Sequence, residues 1–246
     1  MEAYSALAPY YDEFNRDVPY DDILRFYKRL FTLADVSPQL VLDLACGTGA
    51  MSIRLAAAGY EVIAMDASLQ MLSIASTHSI PEGAVAPIYL CQRMEQLDLY
   101  GTVDAAVCCL DGVGYITRPE TLARAFSRVR LFMNPGGVFI FDVNSAFRLR
   151  HLHEMAFTRE CERAFCVYQA DFSEKTKVLT YTLDLFEREG RLYRRSTEFH
   201  RERAYEAQEL ENMLLAAGFS KVFRFGDCRE SPPEPEEGRI FFMAKA

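Results

Sequence analysis

Two periods of apolar residues divide the chain. Ile23, Phe26, Tyr27, Leu30 and Phe31 recur at the three- and four-residue spacing of a single helix face, with a start signal at 19–22. The aromatic-rich stretch before it, 4–14, also reads as helical. Ser37 and Pro38 stop the helical pattern, and the short apolar run 40–45 ends in a glycine turn, as a buried parallel strand does. Strand and helix then alternate. Helix 50–58 is closed by Gly59 and followed by strand 61–65, helix 69–77, and strands 88–91 and 103–110. Helix 119–132 opens on Pro119, and the turn Asn134, Pro135, Gly136, Gly137 delivers strand 138–143. Strands joined by helical crossovers predict a parallel sheet with helices on both faces, because right-handed βαβ connections allow little else.

After Asn144 the period changes to two. The stretches 157–172, 178–187 and 191–203 alternate apolar and polar residues, with a turn at Glu189 and Gly190, and predict an antiparallel insertion. The first pattern then returns, with a helix at 206–217 ending at Gly218, a strand at 220–225, and a strand at 239–245 after the proline-rich link 231–238. The expected class is α/β. A Rossmann-like, mostly parallel sheet of seven strands has helices on both faces, and a small antiparallel β lid is inserted after the fifth strand. By residue, 1–144 holds N-terminal cap helices and the ligand-binding core, 145–205 the lid, and 206–246 the completion of the core.

Composition narrows what this frame can do. Half of the 246 residues are apolar and a quarter are charged, which predicts a folded chain throughout. A net charge of −8 argues against a surface built to neutralise a phosphate backbone, and so against a nucleic-acid partner. No apolar run approaches the length of a membrane span, and 1–14 carries neither a basic leader nor an apolar signal core; the expected address is the cytoplasm, with no membrane partner. The seven cysteines are odd in number, and Cys108 and Cys109 sit inside an apolar run, so they read as reduced packing residues. Cys161 and Cys166 have no third and fourth ligand nearby, and no metal is expected.

The candidate chemistry lies where the first strand meets its helix. Val41 to Leu44 runs into Ala45, Cys46, Gly47, Thr48, Gly49, and glycines at the carboxyl end of such a strand let backbone amides approach a ligand. Asp66 ends the next strand, where a carboxylate can accept both hydroxyls of an adenosine ribose. A dinucleotide and S-adenosylmethionine both satisfy these features. Ser52 stands where the dinucleotide pattern has its third small residue, which tilts the choice toward the second.

On these residues the chain resembles the class I S-adenosylmethionine-dependent methyltransferases, and within them a small-molecule branch with a helical N-terminal cap and an antiparallel lid. The resemblance extends through 4–20, 42–49, the Asp66 strand end, 91–97, 108–116, 134–144 and 217–219. It implies S-adenosyl-L-methionine as cofactor. Gly47 and Gly49 would shape the pocket for its methionine part, with Ala45 lining it and Asp43 anchoring the turn. Asp66 would hold the ribose, and Ala67 and Met71 would pack beside the adenine. Arg93, followed by Met94, occupies a position that is often acidic in the family, so adenine recognition would pass to Met94 backbone groups, Gln92, or Arg93 stacking over the ring. Leu110 and Asp111 would lie near the transferred methyl, with Tyr11 and Tyr20 closing over the cofactor.

The implied activity is methyl transfer to the nitrogen or oxygen of a small molecule by a monomer or homodimer. Because the sulfonium is already an activated donor, the protein has mainly to align an acceptor and exclude water. No catalytic group is fixed by the sequence; His200, Tyr205 and Asp111 are the candidates for a base. Acceptor specificity is expected from the lid, which carries Phe157, Phe165, Tyr168, Phe172, Tyr181, Phe186, Tyr193 and Phe199. An RNA or protein methyltransferase, a noncatalytic S-adenosylmethionine-binding regulator and an NAD-dependent oxidoreductase remain open alternatives at this point.

Overall fold

The computed structural model describes residues 3–246. A 3-10 turn at Ala8–Tyr10 leads into the single-turn helix α1 (Tyr11–Phe14), and α2 (Tyr20–Leu33) follows. Next come β1 (Leu40–Leu44), α3 (Ala50–Ala57), β2 (Glu61–Asp66), α4 (Leu69–Ala75), β3 (Ile88–Cys91), β4 (Val103–Cys108), α5 (Pro119–Leu131) and β5 (Met133–Asn144). Helix α6 (Ala146–His151) precedes β6 (Ala156–Glu160), β7 (Ala164–Ser173), β8 (Val178–Glu189) and β9 (Leu192–Arg203). The chain closes with α7 (Ala207–Ala216), β10 (Lys221–Phe225) and β11 (Arg239–Lys245).

Seven strands form one sheet in the order β10-β11-β5-β4-β1-β2-β3, parallel except for β11, which runs antiparallel to both its neighbours. The remaining four form a separate antiparallel sheet, β6-β7-β8-β9, after the fifth strand. This is the expected Rossmann-like class.

Alternate residues of the central strands feed two cores. Val41, Ala105, Val107, Val138 and Ile140 meet Phe26, Tyr27, Leu30, Met51 and Leu55 from α2 and α3. Leu42, Leu44, Ala106, Phe139 and Phe141 meet Phe126 and Val129 of α5 and Leu210 and Leu214 of α7. Burial on both faces is why these strands read as unbroken apolar runs rather than as alternation.

Four local expectations differ from the structure. The stretch 4–14 is not one helix: Tyr4 takes φ 63, and the backbone amides of Tyr4, Ala6 and Leu7 bind the carboxylate of Glu198 across the molecule. The strand expected at 157–172 is a hairpin, β6 and β7, turning at Cys161, whose amide bonds the Ala164 carbonyl at 2.9 Å; no glycine or proline marks the turn. The 134–137 turn is part of β5, where Gly137 packs so tightly that a Cβ would lie 2.7 Å from the Asp104 carbonyl oxygen. Helix α6 was not expected. Ser145 starts it by accepting the Arg148 amide at 3.0 Å.

The small sheet is fixed from one side by two clusters. Ala164, Cys166, Leu183 and Leu185 pack on Leu7, Tyr10 and Phe14. Ala170, Phe172 and Leu179 pack on Ala146 and Leu149 of α6. Several lid aromatics therefore serve packing, and Phe157 stacks on Tyr168 with ring centroids 4.7 Å apart. Among the described residues no helix is long and apolar enough to cross a membrane.

Candidate functional site

In the sheet order, β1 lies between β2 and β4, the switch point beyond whose carboxyl ends parallel sheets open a crevice. A cavity of about 430 Å³ occupies that place. Its floor is the turn after β1, where Ala45 (φ 52), Gly47 (φ 56) and Gly49 (φ 80) are all left-handed. A Cβ on Gly47 would have no atom within 4 Å, so this stretch of backbone is bare toward the cavity. Gly49 serves a different purpose: a Cβ there would meet the Tyr89 hydroxyl at 2.9 Å and Ala75 at 3.0 Å, so its smallness lets α4 and β3 close on the turn.

Two carboxylates border the floor. Asp43 is fully buried and accepts the Ser52 hydroxyl at 2.6 Å on Oδ2, while its Oδ1 has no partner. Burial pushes its carboxyl up to about 7, against the lowering effect of the Ser52 hydrogen bond. Ser52, in the place of a dinucleotide fold's third glycine, is thus committed to Asp43. Asp66 accepts the Gly47 amide at 2.9 Å and the Ser68 amide at 2.7 Å, one on each oxygen. Burial raises its carboxyl, and those amides oppose the rise. Each oxygen keeps a second lone pair. Ser68, not Asp66, caps α4, accepting the Met71 amide at 3.2 Å.

The opposite wall follows β4. Leu110 (φ 59) and Asp111 (φ 64) are consecutive left-handed residues without being glycine, each a conformation that costs about 1–3 kcal/mol. Asp142 of β5 holds them by accepting the Leu110 amide at 2.8 Å and the Asp111 amide at 3.2 Å, and Arg239 of β11 pairs with that same carboxylate. Asp111 itself turns inward to accept the Asn144 amide at 2.7 Å. Burial, and then the neighbouring Glu202 carboxylate, push its carboxyl well above the usual range. At Gly112 the two walls meet, since a Cβ would lie 2.7 Å from both Ala45 Cβ and Cys108 Sγ.

Of the residues expected at the site, Tyr11, Tyr20, Asp43, Ala45, Gly47, Asp66, Ala67, Met71, Arg93, Met94 and Leu110 line this cavity. Gly49 and Asp111 stand behind its walls, for the reasons given. Tyr205 does not line it: its ring belongs to the core beneath the sheet, and its hydroxyl is taken up behind the wall by the Ile116 carbonyl at 2.5 Å. His200 is one residue removed, its Nδ1 3.2 Å from the Tyr115 hydroxyl. Tyr4, Cys109, Gly112, Tyr115 and Ile116 line the cavity without having been singled out. The Gly112 and Gly114 pair directly after a predicted strand was the available signal. Thr48 donates to Asp12 at 2.6 Å and ties α1 to the glycine turn, which brings the N-terminal tyrosines over the cavity.

Comparison with known proteins follows the same outline. A family model described as a methyltransferase domain matches residues 41–137, the part of the chain that holds both cavity walls. The chain is 29% identical to YqeM of Bacillus subtilis (strain 168), over 98% of this chain and 96% of that one. It superposes with a TM-score of 0.86 and 29% identity on the crystal structure of an S-adenosylmethionine-dependent methyltransferase from Clostridium acetobutylicum ATCC 824, covering 99% of each. The sugar N-methyltransferase KedS8 from Streptoalloteichus sp ATCC 53650 shares the fold at a TM-score of 0.75 and 19% identity, over 96% of this chain and 92% of that one. The Clostridium match runs the length of both chains, cap, glycine turn and antiparallel sheet included, and with the family model it supports the class I S-adenosylmethionine-dependent methyltransferase fold and cofactor for this chain.

Proposed function

We propose that the protein transfers the methyl group of S-adenosylmethionine to an oxygen or nitrogen of a small acceptor held between the sheet and the lid. The observation that carries this reading is the aromatic-walled cavity itself. Tyr4 and Tyr11 of the N-terminal segment and Tyr115 of the β4 loop line it together with the glycine turn. A polymer would need an open groove with a basic rim, and the net charge of −8 offers none in the aggregate.

The cofactor's chemistry is that of a sulfonium, which makes its methyl carbon electrophilic. The residues fit it. Gly47 and Ala45 present bare backbone to its methionine part, and the unpartnered Oδ1 of Asp43 gives the turn an acceptor for an amine or a bridging water. The free lone pairs of Asp66 take the ribose hydroxyls. Ala67, Met71 and Met94 bracket the adenine, with Arg93 at the rim, while Tyr11 and Tyr20 exclude water from above. Residues 145–205 act as the acceptor-selecting lid.

Incubation with methyl-labelled S-adenosylmethionine and a panel of phenols, amino sugars, small amines and acids tests the reading. It predicts label in a small product; label only in added RNA or protein would overturn it. For the cofactor, Asp66→Ala is expected to weaken S-adenosylhomocysteine by about 1–3 kcal/mol through lost charge-assisted hydrogen bonds, read by calorimetry. Unchanged affinity would remove the ribose assignment.

A further inference from the structure

Behind the tyrosine wall runs a chain of hydrogen bonds whose direction is fixed at its far end. Glu198 on β9 is 1% exposed. Its Oε1 accepts Ser5 Oγ at 3.0 Å, the Leu7 amide at 3.2 Å and the Ala6 amide; its Oε2 accepts the Tyr4 amide at 3.0 Å and lies 3.1 Å from His200 Nε2. Burial works against the anion, yet His200 and these donors together hold its carboxyl down to about 2. An ionised Glu198 can only accept, so His200 Nε2 carries the proton and, in the neutral ring, Nδ1 carries the lone pair. Tyr115 therefore donates to Nδ1 across 3.2 Å, which leaves its oxygen to accept from Tyr4 at 2.6 Å. Every donor points away from the cavity. The open end of the chain is a lone pair on the Tyr4 hydroxyl, in a ring that lines the cavity.

We propose that Tyr4, Tyr115 and His200 form a proton relay that receives the proton of the methyl acceptor, with Glu198 as its fixed counter-charge. The inference rests on the methyl-transfer reading above and names the route by which that reaction loses its proton. As the acceptor's oxygen or nitrogen forms its bond to the methyl carbon, the carbon–sulfur bond breaks and its electron pair stays on sulfur. The acceptor's proton passes to Tyr4 Oη, the Tyr4 proton to Tyr115 Oη, and the Tyr115 proton to His200 Nδ1. The resulting imidazolium faces the Glu198 carboxylate; Glu202 of the same strand lies nearby, with the Asp111 carboxyl, held protonated by burial, beyond it, and Tyr181 is the cross-strand neighbour on β8. Tyr4 touches the acceptor; His200 and Glu198 act through it. On β9 the buried face is polar, with Glu198 1%, His200 3% and Glu202 6% exposed, whereas the buried faces of β7 and β8 are apolar.

The test uses the full-length protein with S-adenosylhomocysteine bound. Nitrogen-15 spectra of labelled histidine, assigned with His200→Gln, are expected to show neutral His200 protonated on Nε2 and bare on Nδ1, with the Nδ1 signal moving in Tyr115→Phe. A proton on Nδ1 in the neutral ring would overturn the relay even if the cofactor product binds normally. Failure to bind the product would instead count against the methyltransferase reading. With whichever of the probes catechol, benzylamine and glucosamine the wild type methylates, His200→Gln is expected to lower kcat on the order of 100-fold. Its affinity for S-adenosylhomocysteine should stay within about twofold, and the acidic limb of the pH–rate profile should be lost. Wild-type kcat with an unchanged profile in that variant would also overturn the proposal.

Discussion

Gly47→Val is expected to abolish measurable binding of S-adenosylhomocysteine while leaving the protein folded. The residue sits at φ 56, and the space where its Cβ would point is empty to 4 Å. Two costs follow, and they separate. A branched residue in the left-handed region costs about 1–3 kcal/mol of backbone strain, a tolerable fraction of the roughly 5–15 kcal/mol that holds a domain together. The larger effect is steric, because the valine methyls fill the space that the ligand backbone must enter. Gly59 supplies the control: it also takes a left-handed conformation (φ 94) with open space around its Cβ, but it ends α3 away from the cavity. Gly59→Ala is expected to lower the melting temperature by a few degrees and keep wild-type affinity. Affinity within tenfold of wild type in Gly47→Val, by calorimetry, would mean that the turn does not cradle the cofactor.

Arg239→Met is the substitution expected to cost the most stability, about 3 kcal/mol or more. Asp142 is fully buried, and removing its guanidinium partner strands a carboxylate in the core. Arg239 retains 19% side-chain exposure, which places the loss at the lower end of the range for buried pairs. Burial already raises the Asp142 carboxyl, and the arginine opposes that rise. In the variant the carboxyl rises further. An acid whose folded-state pKa lies above its unfolded value stabilises the fold below the unfolded pKa and loses that contribution as pH rises through the folded one. The deficit of Arg239→Met, measured by urea unfolding, should therefore grow from acidic toward neutral pH. The double variant with Asp142→Asn should recover much of the loss at neutral pH. A deficit under about 1 kcal/mol, or one independent of pH, would contradict this account. Because Asp142 also holds Leu110 and Asp111 in strained conformations, the same variant should bind the cofactor product more weakly.

How much of this was legible without coordinates depends on how local the information is. The glycine turn, Asp66 and the helix-capping role of Ser68 each sit at a strand end or helix start, and their placement follows from short-range chemistry. The seven-stranded core was readable because both faces of its strands are buried and its helices show one apolar stripe each. The opposite wall was not. Asp111 looked like a group beside the reacting methyl, but its carboxylate is turned inward by Asn144, a residue far along the chain. Tyr205 looked like a candidate base at the end of the insertion, yet a carbonyl in the β4 loop claims its hydroxyl. Nor could the sequence reveal that Glu198 gathers the amides of the N-terminal segment, because that contact depends on how the lid sheet docks over the cap.

Isothermal titration of the purified, folded chain with S-adenosylhomocysteine and, separately, NAD puts the central claim to its most direct trial. Saturable heat at one site per chain with the first, and none with the second, is the outcome that the cavity, its glycine turn and Asp66 predict. A folded protein that takes up neither S-adenosylhomocysteine nor S-adenosylmethionine would contradict the assignment of that cavity.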